Sequence, residues 1–202
     1  TETEAGSDVG AIQTTATKEN GYYVINGTKQ FISNGAVAET IPTFVITDKS
    51  LGHRGLSVVV VEKDTPGFSV DKEERKMGIR SSDTSDLLYN DCRVPEENRI
   101  GDEGRGFRIA METIDSSRCA VAAQAVGIAR AAFEKALNYS KDRKQFGQPI
   151  CNHQAIQWML ADMATNIDAA RFLTYRAAHL HDMGQDYIKE ASMAKVFASE
   201  MS

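Results

Sequence analysis

Tyr22-Tyr23-Val24-Ile25-Asn26-Gly27-Thr28-Lys29-Gln30-Phe31-Ile32-Ser33 is the stretch whose reading decides the fold class. Aromatic and β-branched residues crowd both halves, which suits a pleated strand. Asn-Gly between two such runs is the dipeptide of a tight hairpin turn, because both central residues of that turn need positive φ. The stretch therefore predicts a hairpin that reverses at Asn26-Gly27. Outward from it the pattern stays β, from Ile12 to Val94. Thr43-Phe44-Val45-Ile46-Thr47, Leu56-Ser57-Val58-Val59-Val60-Val61, Phe68-Ser69-Val70 and Asp86-Leu87-Leu88-Tyr89 read as further strands between Gly, Pro, Asp and Ser punctuation. No helical crossover separates them, so an antiparallel barrel or sandwich-like sheet is expected rather than a doubly wound one.

After Pro95 and a loop holding Gly101, Gly104 and Gly106, the composition turns to Ala, Ile, Met and Leu at helical spacing. One helix is expected from Phe107 to Tyr139. A loop with Gly147 and Pro149 follows, and Asn152 is placed to cap a second helix running to about His181. Ile156, Met159, Leu160, Met163, Ile167, Ala170 and Leu173 would share its apolar face. Met183-Gly184 closes that helix, and a third runs from Tyr187 to Met201. The expectation is an α+β chain: a β domain over 1–100, then over 101–202 the first helices of a truncated up-down bundle. Apolar faces of a partial bundle need cover from further helices or partner subunits.

Composition narrows the function classes. The chain has 202 residues, 42% of them hydrophobic and 25% charged, with a formal net charge of -5. That suits a globular protein and supplies no broad basic face for nucleic acid. No apolar run reaches the roughly 18 to 20 residues of a membrane helix, so no membrane partner is expected. Cys92, Cys119 and Cys151 are three, and far apart, which fits neither a disulfide framework nor a zinc knuckle and points to a reducing compartment. The chain opens without Met and stops at Glu200-Met201-Ser202 within a helical pattern, so it reads as a segment of a longer protein.

Four clusters carry possible chemistry, each beside a plainer reading. Ala5-Gly6-Ser7-Asp8-Val9 is a small-residue loop whose N–H groups and hydroxyl suit an anion or a carbonyl; it also reads as a simple turn. Phe31 and Ser33 lie two residues apart, so a strand puts them on one face, where a ring and a hydroxyl suit a flavin. A core Phe and an exposed Ser are the alternative. Arg143-Lys144-Gln145-Phe146-Gly147, with His153-Gln154 after it, joins basic groups, a carboxamide and an aromatic around a turn. The planar Arg143 fork suits a diphosphate, and a solvated cluster at a helix C-terminus is the alternative. Asp115-Ser116-Ser117-Arg118 interrupts an apolar helix with polar residues that face either water or a cavity.

In this order the segments resemble the acyl-CoA dehydrogenase family across essentially the whole chain. Thr1-Glu2-Thr3-Glu4-Ala5-Gly6-Ser7-Asp8 is similar to its Thr-Glu-Pro-x-Ala-Gly-Ser-Asp segment, and Ile25 to Asn34 to its Ile-Asn-Gly-x-Lys-x-Trp-Ile-Thr-Asn segment. Asp64-Thr65-Pro66-Gly67, Met77-Gly78-Ile79-Arg80-Ser81-Ser82, Val94-Pro95-Glu96-Glu97-Asn98 and the Arg143 loop with its His-Gln also match. The resemblance implies FAD as cofactor. Thr1, Ser7, Phe31, Ile32 and Ser33 would contact it from the β domain, with the Ser33 hydroxyl at flavin N5. Arg143, Gln145, Phe146, His153 and Gln154 would bind the FAD of a neighbouring subunit. Ser7 would also reach the substrate, while Asp115 and Arg118 would meet its CoA moiety.

Departures are equally informative. Thr3-Glu4 replaces the usual Pro-Gly, Phe31 the usual Trp, and Ser33 a frequent Thr. A π face and a hydroxyl remain. Some branches carry the catalytic Glu just before the Arg equivalent to Arg118, where this chain has Ser117. Ser without His or Lys beside it is a poor base for an α-proton. No catalytic base is therefore assigned within the chain; a Glu downstream of Ser202 is expected. The implied reaction is α,β-dehydrogenation of an acyl-CoA, in a homotetramer that passes electrons to an electron-transferring flavoprotein. Oxidase-like, nitroalkane-oxidase-like and non-catalytic flavin-binding relatives are the alternatives. The compartment would be cytoplasm or mitochondrial matrix.

Overall fold

The computed structural model describes residues 1–202, which fall into two compact units, Thr1–Ala110 and Met111–Ser202. The first is a β unit. Its strands are β1 (Thr15–Glu19), β2 (Tyr22–Ser33), β3 (Thr40–Ile46), β4 (Leu56–Glu62), β5 (Phe68–Glu73), β6 (Thr84–Pro95) and β7 (Arg99–Ile100). They form one seven-stranded sheet in the order β5-β6-β2-β1-β3-β4-β7. Every ladder is antiparallel except the single β1–β3 contact, where Thr15 faces Ile46. The sheet is strongly coiled. In flat geometry β6 and β3, three strands apart, would be about 14 Å from each other. Yet the Tyr89 hydroxyl on β6 lies 3.0 Å from the Thr43 hydroxyl on β3. Tyr23, Ile25, Val45, Val59, Val61 and Leu87 fill the core that this curvature encloses.

The hairpin expectation is corrected in position. Asn26-Gly27 lies in the middle of the 12-residue β2 and does not turn. The reversal occurs six residues earlier, at Asn20-Gly21, where both residues have positive φ and Glu19 faces Tyr22. The chain thus carries the same dipeptide three times, at Asn20-Gly21, Asn26-Gly27 and Asn34-Gly35, and only the first joins two paired strands. At the second, Asn26 opposes a bulge on β6 between Tyr89 and Cys92. Its carboxamide accepts the Asp91 N–H at 2.8 Å and donates to the Asp91 carboxylate at 3.0 Å. Gly27 is required there, because a Cβ would stand 2.5 Å from the Thr14 hydroxyl. Sequence pattern alone does not distinguish a turn Asn-Gly from a bulge-facing Asn-Gly.

The second unit is helical. Helix α1 (Gly106–Asp142) enters it from the β unit, and α2 (Gln154–Asp182) and α3 (Ile188–Met201) follow. Its core is built from alanines, among them Ala122, Ala129, Ala170, Ala177, Ala194 and Ala198, which let helix backbones approach closely. The cap of α2 is His153 without a side-chain bond; Asn152 sits one position earlier, in a 3-10 turn. At the other end of α2, Gly184 N–H donates to His181 carbonyl and Gln185 N–H to Leu180 carbonyl, which closes the last turn as a Schellman motif. Ile128, Trp158, Phe172, Tyr175 and Val196 stand exposed on these helices.

Candidate flavin and thioester site

The β unit presents its candidate residues through a second irregularity of β2. Lys29 pairs with Leu87 and Ile32 with Ser85, so Gln30 and Phe31 together oppose the single residue Asp86. This bulge changes which residues face the core. Tyr23, Ile25 and Lys29 point inward before it, and Ile32 packs on the core after it. Phe31 and Ser33 are consequently both exposed: the shared side follows their spacing, and the outward direction follows from the bulge. Phe31 takes a left-handed φ of 58° and is 59% exposed. Such a conformation in a bulky residue is strained and persists only when its surroundings enforce it. Here the Asp86 carboxylate accepts the Phe31 N–H at 3.1 Å. Beyond Ser33, the Asp83 carboxylate accepts the Ala36 N–H at 2.8 Å, and its backbone carbonyl accepts Asn34. That bond from Ala36 chiefly holds the Asp83 carboxyl below its ordinary range.

Thr1 and Ser7 lie on the segment beside this bulge. The Gln30 N–H donates to the Thr1 carbonyl at 2.8 Å. Glu2, the next residue, is buried and accepts from the Gln13 N–H at 2.6 Å, the Thr14 hydroxyl at 2.6 Å and the Lys29 ammonium at 2.6 Å. Burial pushes the Glu2 carboxyl up, but these donors together outweigh it and hold the group below its ordinary range. Lys29 also reaches the Phe44 carbonyl. Ala5 is buried against Ile12 and Leu56, which leaves Ser7 exposed, one residue before Asp8 caps a short 3-10 turn. Neither Glu2, Lys29 nor Asp86 was singled out from sequence as part of the site. Lys29 had a usable signal: a charge on the inward parity set by Tyr23 and Ile25.

In the helical unit, Arg143 to Pro149 is a small hairpin. Lys144–Gln145 (β8) pairs with Gln148–Pro149 (β9), and the turn residues Phe146 and Gly147 both have positive φ. Phe146 is 94% exposed at the tip. His153 packs its ring edge-on at 5.8 Å, and its Nε2 lies 3.3 Å from the Gln145 carbonyl. Arg143 is exposed, and its guanidinium pairs with no carboxylate of this chain. Gln154 opens α2 beside His153. Asp115 and Arg118 form an ion pair one turn apart on α1, and the Ser117 hydroxyl donates to the Ile114 carbonyl at 2.8 Å. Ser117 thus has no basic partner. No three His, Cys, Asp or Glu side chains are arranged to hold a metal.

A family description, "Acyl-CoA dehydrogenase, middle domain", matches residues 1–92, and "Acyl-CoA dehydrogenase, C-terminal domain" matches residues 104–202. The chain belongs to the acyl-CoA dehydrogenase family. It is 52% identical over 200 residues to an acyl-CoA dehydrogenase of Bacillus subtilis, covering 99% of this chain and 53% of that protein. The butyryl-CoA dehydrogenase from Megasphaera elsdenii superimposes with a TM-score of 0.96 at 48% identity, over 100% of this chain and 53% of that one. A chain of the structure described as "Electron transferring flavoprotein of Acidaminococcus fermentans: Towards a mechanism of flavin-based electron bifurcation" matches at 0.96 and 52% identity, with the same coverage. This acyl-CoA dehydrogenase family chain therefore spans about half the length of the proteins it matches. No helix in it is long and apolar enough to cross a membrane.

Proposed function

We propose that the protein carrying this chain catalyses FAD-dependent α,β-dehydrogenation of a short acyl-CoA and passes the electrons to an electron-transferring flavoprotein. The single observation that carries this reading is the strained, outward Phe31 beside the exposed Ser33, held by Asp86 and Asp83 within a family member. A fixed flat ring with a hydroxyl two residues on fits an isoalloxazine face and edge. The exposed, carboxylate-free Arg143 guanidinium fits a diphosphate, and the neighbouring exposed Phe146 offers a second aromatic face. The preference for a short chain follows the butyryl-CoA dehydrogenase relative.

When bound, FAD supplies the acceptor for the hydride that leaves the substrate β-carbon. Phe31 would lie against the ring with Ser33 at its edge, and Ile32, whose side chain packs on the core, would contact it between them. Thr1 and Ser7 bind beside it, Ser7 also toward the thioester. Asp115 and Arg118 meet the CoA end, where the Arg118 cation is already oriented by its partner. Arg143, Gln145, Phe146, His153 and Gln154 serve the FAD of a neighbouring subunit in a homotetramer. The α-proton goes to a Glu outside this chain, since Ser117 is committed to a backbone carbonyl. The experiment is an anaerobic panel of acyl-CoAs mixed with the full-length protein. Butyryl-CoA is expected to bleach the flavin faster than long-chain or branched thioesters. A protein that holds FAD yet is bleached by none of them would overturn the assignment.

A further inference from the structure

The two β-unit segments assigned to the flavin, Thr1–Ser7 and Phe31–Ser33, are far apart in sequence and are joined by one buried contact. Glu2 is 7% exposed and Lys29 is 6% exposed, with 2.6 Å between ammonium and carboxylate. Each lies within two residues of a site residue: Glu2 follows Thr1, and Lys29 comes two residues before Phe31. Around the ion pair run two flanking bonds, from the Gln30 N–H to the Thr1 carbonyl and between the side chains of Thr3 and Gln30 at 3.2 Å. This seam occupies the edge of β2 that β1 leaves uncovered, because the β1–β2 ladder ends at Thr15 opposite Asn26. Glu2 also takes the N–H groups of Gln13 and Thr14, which precede β1.

Stability alone does not explain an ion pair here. Replacing a buried pair with apolar residues of similar volume is often neutral or stabilising, whereas a pair fixes geometry. An apolar pair could slide. The carboxylate with its several donors cannot, and the residue it anchors is the last before the bulge that turns Phe31 outward.

We propose that Glu2 and Lys29 are positioning residues: their buried ion pair latches the Thr1–Ser7 segment to the β2 bulge and so sets the relative placement of the two flavin-facing surfaces. The inference rests on the flavin reading above and adds residues that touch no flavin themselves. The test compares Glu2→Gln, Lys29→Met and the double variant Glu2→Gln/Lys29→Met in the full-length protein. Three quantities are read: apoprotein thermal midpoint, hydrogen-exchange protection of the Gln30 and Phe31 amides in the apoprotein, and FAD dissociation constant.

The single variants are expected to lose thermal stability. The double variant removes both charges, so its midpoint should return to within a few degrees of wild type. Its Gln30 and Phe31 amides should nevertheless exchange at least tenfold faster, and its FAD affinity should stay at least tenfold weaker. A double variant with wild-type exchange and wild-type FAD affinity would show that the pair is mere packing, and would overturn the latch. A wild-type protein that takes up no FAD, with normal protection of both amides, would instead overturn the cofactor reading itself.

Discussion

Phe31 and Phe146 share a backbone conformation that bulky residues avoid, with φ of 58° and 51°, yet they are held by opposite means. Phe31 sits in a bulge gripped from both sides: Asp86 takes its N–H, and the segment at Thr1 takes that of Gln30. Phe146 stands at the tip of a two-residue turn, and its one ring contact is His153. The first aromatic is placed by the β unit's own interior. The second is presented on an exposed hairpin, as a residue serving something outside its own unit would be. The difference teaches where preorganisation is stored: in buried charge and bulges on one side, in turn geometry on the other.

The largest effect that sharpens this comparison is on stability. Glu2→Ala leaves Lys29 buried without its counter-ion and should cost about 3–5 kcal/mol in urea denaturation of the apoprotein. Arg143→Ala, on the exposed hairpin, should stay within about 0.5 kcal/mol. Equal losses would break the contrast. Next come two glycines. Gly27→Ala forces a Cβ to 2.8 Å from the Thr14 backbone and should cost about 1–3 kcal/mol. Gly127→Ala on α1 meets nothing within 4 Å and should raise stability by up to about 1 kcal/mol. A Gly127→Ala substitution that destabilises the full-length protein would show that this helix face is covered there.

Smaller effects separate strain from binding. Phe31→Gly relieves a left-handed residue, worth about 1 kcal/mol, so the apoprotein midpoint should not fall while FAD affinity drops tenfold or more. Phe146→Ala should leave the apoprotein midpoint unchanged and weaken FAD binding by the full-length protein. Stoichiometric FAD in a monomeric form of the protein would refute the inter-subunit role of Arg143 and Phe146. The smallest effect is on pH. The Glu2 carboxyl is depressed from its ordinary value of 4.5, so its contribution is fully present above that pH and is lost as pH falls through the lower folded value. Stability of wild type should therefore fall more steeply below about pH 4.5 than that of Glu2→Gln/Lys29→Met, measured by acid titration of the folded signal.

Periodicity reports burial, and burial leaves a local trace, yet it split the 12-residue β2 at Asn26-Gly27 and marked only Asp86–Tyr89 of the 12-residue β6. The strands at Thr43–Thr47 and Leu56–Val61 and the three helices were legible from that trace. Asn26-Gly27 was not, because a bulge partner such as Asp91 lies 65 residues away. That Phe31 and Ser33 share a face was legible from period two, although the bulge that turns both outward after an inward Lys29 was invisible. Arg143 to His153 read as a loop, since two-residue strands are too short to show a period.

By itself the sequence determined the α+β class, the order of the segments and the residue types offered to a flavin, because these depend on local pattern and on motif order. Tertiary structure alone decided which Asn-Gly turns, how Phe31 is kept in a strained conformation, and that Glu2 meets Lys29. Each of those depends on groups distant along the chain competing for the same buried hydrogen bonds, and no local window contains both competitors.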